Sequence, residues 1–165
     1  QGNYPLGVLE SEKAANRLHH LLEDAQTKGA DLPLGINIQG AMMQPTIIVN
    51  ITQEMKLYRE ESFAPVCTIQ RFKTDEEAIQ LANDSEFGLS SAVFSQDIVQ
   101  ALAVAKQIES GICHINGATV HDEAQMPFGG VKQSGYGRFG SKASVAEFTE
   151  LRWITIQTTP RHYPI

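Results

Sequence analysis

Residues 111–140, GICHINGATVHDEAQMPFGGVKQSGYGRFG, decide how the fold of this chain is interpreted. The segment begins with the strand-like ICHIN and continues into a loop crowded with His, Asp, Glu, Lys and Gly. Binding and catalytic residues are carried disproportionately on loops that a rigid scaffold positions. We therefore expect this loop to form the wall of a functional site.

Helical patterns lie on the N-terminal side of this segment. Residues 97–110 carry apolar side chains at helical spacing and end at Gly111. Thr74 and Glu77 form a capping box that opens a helix reaching about Asn83. Residues 11–29 predict a longer amphipathic helix with a serine cap and a glycine stop.

Strands alternate with these helices. Apolar strand patterns begin at Thr46, Val66, Leu89 and Ile112, and a short helix near residues 141–148 precedes a last strand, LRWITIQ, from Leu151. Strands separated by helices of this length form right-handed βαβ crossovers. The sequence therefore predicts an α/β fold with a mostly parallel sheet and flanking helices.

Composition excludes several classes of function. With 165 residues and 42% hydrophobic content, the chain suits one domain with an ordinary core. A net charge of −6 argues against nucleic acid as a partner, because phosphate binding needs a basic face. No run approaches the roughly 18 apolar residues of a membrane span, so no membrane partner is predicted.

Cysteine usage and the first residues favour a cytoplasmic location. Cys67 and Cys113 are too few for a disulfide framework, and their apolar, strand-like surroundings predict inert buried thiols. The starting sequence QGNYPLG has neither the basic nor the apolar region of a secretory signal.

Gly135, Gly137 and Gly140 spell G-x-G-x-x-G, the pattern of a dinucleotide-binding turn. A genuine fingerprint follows a hydrophobic strand directly and has an acidic residue about 20 positions later. Here MPFGGVKQS precedes the motif, and residues 155–160 hold no acid. We predict instead that these glycines let the backbone pass close to another part of the chain.

The polar side chains of the loop leave two interpretations open. His114, His121, Asp122 and Glu123 lack the spacing of metal ligands, so no metal site is predicted. His121 with Asp122 or Glu123 could form an acid–base pair, and a solvated loop is the simpler alternative.

Four ordered motifs resemble the aldehyde dehydrogenase superfamily. They are EESFAPV (60–66), NDSEFGLSSAVFSQD (83–97), SGICHING (110–117) and PFGGVKQSGYGR (127–138). Together with FTELRWITIQ near the end, they are most similar to the benzaldehyde, vanillin and salicylaldehyde dehydrogenases of that superfamily.

The resemblance implies a domain organisation and a cofactor. Residues 1–148 correspond to a truncated aldehyde-dehydrogenase-like catalytic domain, and residues 149–165 correspond to an oligomerisation strand and tail, which implies a homodimer. The family uses NAD(P). Its longer chain also carries a Rossmann domain, a general-base Glu, an oxyanion Asn and a nucleophilic Cys segment, none of which has a counterpart here. We therefore expect this chain alone to bind no cofactor and to be redox-inactive.

The resemblance also implies roles for individual residues. Glu61 matches the Glu that holds the nicotinamide-ribose hydroxyls, and Phe63 matches the ring beside the nicotinamide. Phe128 matches an aromatic residue of the aldehyde tunnel, His121 lies in the loop that shapes that tunnel, and Asn116 opens this loop. A carboxylate can accept hydrogen bonds from two vicinal hydroxyls, so the first assignment is chemically reasonable.

Three functions remain open at this point. The chain could be part of an NAD(P)-dependent dehydrogenase that oxidises aromatic aldehydes to acids. It could be a repurposed, cofactor-independent isomerase or cyclase for a small carbonyl compound, with Glu61, His121 and Lys132 as catalytic residues. It could also be a non-catalytic oligomerisation module. Cys113 is disfavoured as a replacement nucleophile because it lies inside a predicted strand.

Overall fold

The computed structural model describes residues 6–164 and divides after Leu81 into two compact units. Most of the QGNYPLG segment, from which no secretory signal was predicted, lies outside the described residues. The proposed boundary between residues 1–148 and 149–165 falls within the second unit and remains a prediction.

The first unit contains one long helix and short strands. Its elements are α1 (Glu12–Thr27), β1 (Ile38–Gln39), β2 (Met42–Met43), β3 (Thr46–Val49), α2 (Lys56–Arg59) and β4 (Val66–Ile69), and α3 (Asp75–Asn83) begins in it. Strands β3 and β4 pair in parallel, with Thr46 opposite Val66. Strands β1 and β2 form a small antiparallel pair.

The second unit repeats the parallel arrangement around the loop quoted above. Its elements are β5 (Phe87–Gly88), β6 (Ser90–Val93), α4 (Ile98–Ala105), β7 (Ile112–Ile115), β8 (Val131–Lys132) and α5 (Ser141–Phe148). Strands β6 and β7 are parallel and joined through α4, with Ser90 opposite Ile112. Strands β5 and β8 are antiparallel.

Helix α1 provides a large part of the core of the first unit. The Ser11 side chain accepts a hydrogen bond from the Ala14 N–H at 3.1 Å and so caps the helix. The residues at helical spacing on one face are buried, namely Ala15, Leu18, Leu21, Leu22 and Ala25. They pack with Ile48, Met55 and Leu57, and burying each large apolar side chain stabilises the fold by about 1.5–3 kcal/mol.

Two other helices are also capped, α3 by the predicted capping box and α4 by Asp97. The Asp97 carboxylate accepts hydrogen bonds from the Val99 and Gln100 N–H groups at the start of α4. The Thr74 hydroxyl accepts from the Glu77 N–H, and Glu77 reaches back to the Lys73 N–H. The helices therefore begin close to where the sequence predicted them.

The apolar face of α4 is less buried than its periodicity predicted. Ala101 is buried, whereas Ile98, Val99 and Leu102 are exposed, Val99 by 81%. Within the described part of the second unit, no element lies over these side chains deeply enough to bury them. The apolar side chains of the second unit are therefore mostly exposed or half-exposed. They leave a surface suited to contact with further protein.

The sheet prediction is correct only in part. Parallel pairing is present, but the described strands form separate two-stranded sheets rather than one mostly parallel sheet. The predicted strand LRWITIQ is also not formed, and residues 149–164 contain neither helix nor strand. A strand needs a neighbour to accept its backbone hydrogen bonds, and this segment pairs with none in the described chain.

Two further expectations concern the cysteines and membrane-spanning helices. The prediction of a buried Cys67 is wrong, because Cys67 is exposed on β4, while Cys113 on β7 is half-buried. Among the described residues, every helix is too short or too polar to cross a bilayer.

Asp24 joins α1 to the start of α2. Its carboxylate lies 2.8 Å from the Lys28 ammonium and accepts the Lys56 N–H at 2.9 Å. The hydrogen bond from Lys28, followed by that from the Lys56 backbone, lowers the pKa of Asp24 below its ordinary value. The ionised carboxylate therefore stabilises the folded state.

We predict that Asp24→Asn lowers the melting temperature at pH 7 and that its effect disappears in acid. A depressed pKa contributes stability that is fully present above the unfolded value, about 3.9, and is lost as pH falls through the folded value. Thermal melts across this range should show the difference between the proteins shrinking. Asp31→Asn, at an exposed carboxylate of the same unit, is the control. Equal melting at pH 7 would contradict the prediction.

Candidate active site

Strand β7 and the loop after it enclose a cavity of about 350 Å³ in the second unit. Residues 111–114 form one side, and residues 121–123 and 126–128 form the other. The lining is mainly apolar, with imidazole, thiol and carboxyl groups among it. A largely apolar cavity with a few polar groups is the usual form of a small-molecule site.

Two imidazoles meet at this cavity. The His114 and His121 rings pack edge to face with their centroids 5.5 Å apart. The His121 Nε2 lies 3.5 Å from a Glu123 carboxylate oxygen, so the structure pairs His121 with Glu123. The His114 Nε2 is enclosed and has no hydrogen-bond partner among the described residues. The cluster can donate or accept hydrogen bonds to a polar group that enters the cavity.

Phe128 is fixed in the cavity wall by its backbone. Phe128 and Phe139 form an isolated antiparallel bridge, in which each N–H donates to the other residue's carbonyl at 2.7 Å. The Phe128 ring is half-buried and lines the cavity together with His121. Phe128 and His121, two of the predicted pocket residues, therefore line the same cavity.

Asn116 does not line this cavity. Its side-chain amide accepts from the Ser95 N–H and donates to the Ser95 carbonyl, both at 2.9 Å. Its backbone is left-handed, with φ of 56°. Asn116 therefore continues the β6–β7 pairing beyond the strand ends, and its predicted role in the substrate pocket remains a prediction.

Lys132 also lies outside the cavity, in strand β8. Its ammonium donates to the carbonyls of Asn83 and Ser85 at 2.8 and 3.0 Å and lies 2.6 Å from the Glu109 carboxylate. These contacts hold separate segments of the second unit together. Catalytic roles for Lys132, Glu61 and His121 remain predictions.

The glycines of the loop serve close backbone contacts and turns. A Cβ atom on Gly111 would lie 1.7 Å from the Gly129 carbonyl oxygen. A Cβ on Gly140 would lie 2.1 Å from the Met126 carbonyl oxygen, and its φ of 102° is unfavourable for other residues. Within the G-x-G-x-x-G pattern, the prediction of a close backbone contact is thus correct for Gly140 only. A Cβ on Gly137 would lie 2.7 Å from the Glu147 carboxyl group, whereas a Cβ on Gly135 would meet no atom within 4 Å, and glycine at that position suits its φ of 132°.

The first unit presents the residues predicted to contact the cofactor. Glu61 is exposed, and Phe63 is 82% exposed with a left-handed φ of 50°. A non-glycine residue persists in this conformation when its surroundings fix it there. The two side chains lie on the same loop, between α2 and β4.

Arg17 of α1 holds that loop. Its guanidinium donates to the carbonyls of Glu61 and Ser62, both at 3.0 Å, and lies 3.7 Å from the Glu60 carboxylate. Sequence reasoning did not identify Arg17, because its partners lie more than 40 positions away and no local pattern marks the contact. Residues 62–65 and α1 also border a groove of about 540 Å³.

The motifs, the parallel strand pairs and this arrangement of loops define the class of protein. The chain belongs to the aldehyde dehydrogenase family, whose family model matches residues 1–154.

Among its relatives, the chain is 58% identical over 160 residues to a vanillin dehydrogenase from a Pseudomonas species. It is 45% identical over 163 residues to a salicylaldehyde dehydrogenase from Pseudomonas putida. These alignments cover 97% and 99% of this chain but 33% and 34% of the relatives. The chain thus spans about a third of the length of these relatives.

Solved structures show the same fold. A salicylaldehyde dehydrogenase from Pseudomonas putida, complexed with salicylaldehyde, superposes with a TM-score of 0.91 at 44% identity, covering 100% of this chain and 34% of that chain. A betaine aldehyde dehydrogenase from Staphylococcus aureus, in complex with NAD+, gives 0.81 at 37% identity, covering 90% and 31%.

We predict that Gly111→Ala disrupts the cavity wall. Because the added methyl group would overlap the Gly129 carbonyl, the backbone must shift, and overpacking of this kind costs about 1–3 kcal/mol or more. Chemical denaturation should show the loss. Gly117→Ala, just beyond the other end of β7, is the matched control, since its Cβ would meet only the His114 Cβ at 3.5 Å. Equal stability of the two variants would contradict the close contact.

Proposed function

We propose that this chain contributes the nicotinamide-facing loop and part of the aldehyde pocket to an NAD(P)-dependent dehydrogenase that oxidises aromatic aldehydes to acids. The observation that carries the proposal is the 58% identity to a vanillin dehydrogenase over almost the whole chain. Similarity to salicylaldehyde and benzaldehyde dehydrogenases supports the same substrate class.

The loop that bears Glu61 and Phe63 suits a nicotinamide nucleotide. The exposed Glu61 carboxylate can accept hydrogen bonds from two ribose hydroxyls, and the exposed Phe63 ring offers an apolar face to a flat heterocycle. Arg17 holds the backbone of this loop in place. When bound, NAD(P) supplies the hydride acceptor that oxidation of an aldehyde requires.

The cavity of the second unit suits an aromatic aldehyde. Phe128, Met126 and Pro127 provide apolar surface against which a planar ring can pack. His121 and Glu123 provide polar groups that can bind a hydroxyl substituent on that ring. This combination favours a hydroxylated benzaldehyde over a charged or aliphatic aldehyde.

Neither cysteine of this chain is placed as the nucleophile in this proposal. Cys67 is exposed on β4, with a carbonyl as its only hydrogen-bond partner among the described residues. Cys113 lines the cavity with His114 and His121, but it lies within the β6–β7 ladder, and among the described residues no hydrogen bond joins its thiol to either imidazole. An attacking thiolate needs an adjacent base or another activating group. We therefore expect the chain alone to produce no reduced nucleotide from an aldehyde.

The test is a chimera in which this chain replaces the corresponding third of the Pseudomonas vanillin dehydrogenase. We expect aldehyde-dependent NAD(P) reduction with vanillin, and Glu61→Gln should raise the KM for the nucleotide about tenfold or more, because it removes charge-assisted hydrogen bonds. Glu76→Gln, at an exposed carboxylate of α3, is the matched control.

Two results would oppose the proposal. One is a folded chimera without activity towards aromatic aldehydes. The other is a nucleotide KM that Glu61→Gln leaves unchanged. If the isolated chain reduces NAD(P) with an aldehyde, the separate expectation that neither of its cysteines acts as the nucleophile is wrong.

We also propose that the C-terminal segment forms a strand against a partner copy, giving a homodimer. Leu151, Trp153 and Ile156 are 105%, 91% and 85% exposed. The segment has no ladder partner among the described strands, although its side chains alternate like those of a strand. Addition to the edge of another sheet would satisfy its backbone and cover these side chains.

Sedimentation velocity tests this arrangement. We expect a dimer for the unmodified chain and a monomer for Ile154→Pro, because proline removes a ladder donor. Thr158→Pro, beyond the apolar stretch, should remain dimeric. A monomeric unmodified chain, or an Ile154→Pro dimer of equal strength, would rule out pairing through this segment.

A further inference from the structure

The solvent face of α1 brings together two imidazoles and a carboxylate. The His19 Nδ1 lies 3.2 Å, and the His20 Nδ1 3.4 Å, from the same Glu23 oxygen, Oε2. The ligand atoms of the three residues all lie within 4.8 Å of one another. The cluster has no part in the proposed dehydrogenase function.

These separations match the distance between neighbouring ligand atoms in a metal coordination sphere. Zinc bonds to imidazole nitrogen and carboxylate oxygen at about 2.0–2.2 Å in tetrahedral geometry, which places neighbouring ligand atoms about 3.4 Å apart. The two measured nitrogen–oxygen distances have this value within 0.2 Å. The remaining adjustment involves only side chains that are 44%, 78% and 52% exposed and free to rotate.

The helix fixes the spacing of the ligands. Glu23 follows His19 by four residues and His20 by three, and residues at these intervals are neighbours on a helix surface. The opposite face of the same turn is anchored in the core by Leu18, Leu21 and Leu22. The backbone that carries the three ligands is therefore held in place before any ion arrives.

The ligand set selects the class of ion. Two nitrogens and one carboxylate oxygen suit Zn²⁺, whereas Ca²⁺ and Mg²⁺ prefer sites made of oxygens alone. The side chains are open to solvent, so water can complete the coordination sphere. We propose that His19, His20 and Glu23 bind a Zn²⁺ ion that links consecutive turns of α1.

The test is a titration of the 165-residue chain with zinc chloride, followed by calorimetry and by the imidazole proton signals in NMR spectra. We expect one saturable site, with the His19 and His20 signals shifting together and those of His162 unchanged. Zinc should also raise the melting temperature, because an ion that binds only the folded state stabilises it.

Single substitutions assign the site. His19→Ala and Glu23→Gln should each weaken zinc binding at least tenfold, whereas the control His162→Ala should leave it within twofold. Melting of each variant without zinc shows that the fold is intact. Unchanged affinity in both ligand variants, a shift confined to His114, His121 or His162, or no saturable binding by the unmodified chain would each overturn the proposal.

Discussion

The contact between the backbones at Gly111 and Gly129 is the constraint on which the second unit depends. A side chain at Gly111 would occupy the position of the Gly129 carbonyl, so the two segments can touch only because residue 111 carries no Cβ. This contact lays the PFGG turn against the start of β7. Phe128 and His121 consequently face residues of β7 across the cavity. A loop that looks irregular in sequence is thus fixed by close backbone packing together with the Phe128–Phe139 hydrogen bonds.

Periodic and capped elements could be predicted from the sequence. The apolar spacing of α1 and the caps at Ser11 and Thr74 identified helices correctly, because burial and capping are local properties. The succession of a strand, a helix and a strand predicted the parallel pairing of β6 with β7. The quoted motifs also identified the family, which the match over residues 1–154 confirms.

Features that depend on distant contacts could not be predicted. Arg17 reaches carbonyls more than 40 residues away, and no spacing rule marks such a contact. Asn116 and Lys132 belong to polar motifs, but their side chains are committed to neighbouring backbone groups. The extent of burial was also misjudged for α4 and Cys67, because periodicity identifies an apolar face without showing what covers it.

The contacts of Lys132 have a consequence for the cooperativity of the second unit. Its ammonium joins positions 49 residues apart, closing a long loop of chain with one charged group. The entropy lost in closing a loop grows only slowly with its length, so this long loop costs little more to close than a short one. The apolar side chains of the second unit are largely half-exposed. The contacts of Lys132 therefore provide part of the stability that a hydrophobic core would otherwise give. The second unit is thus stabilised by a charged contact between distant segments as well as by its apolar side chains.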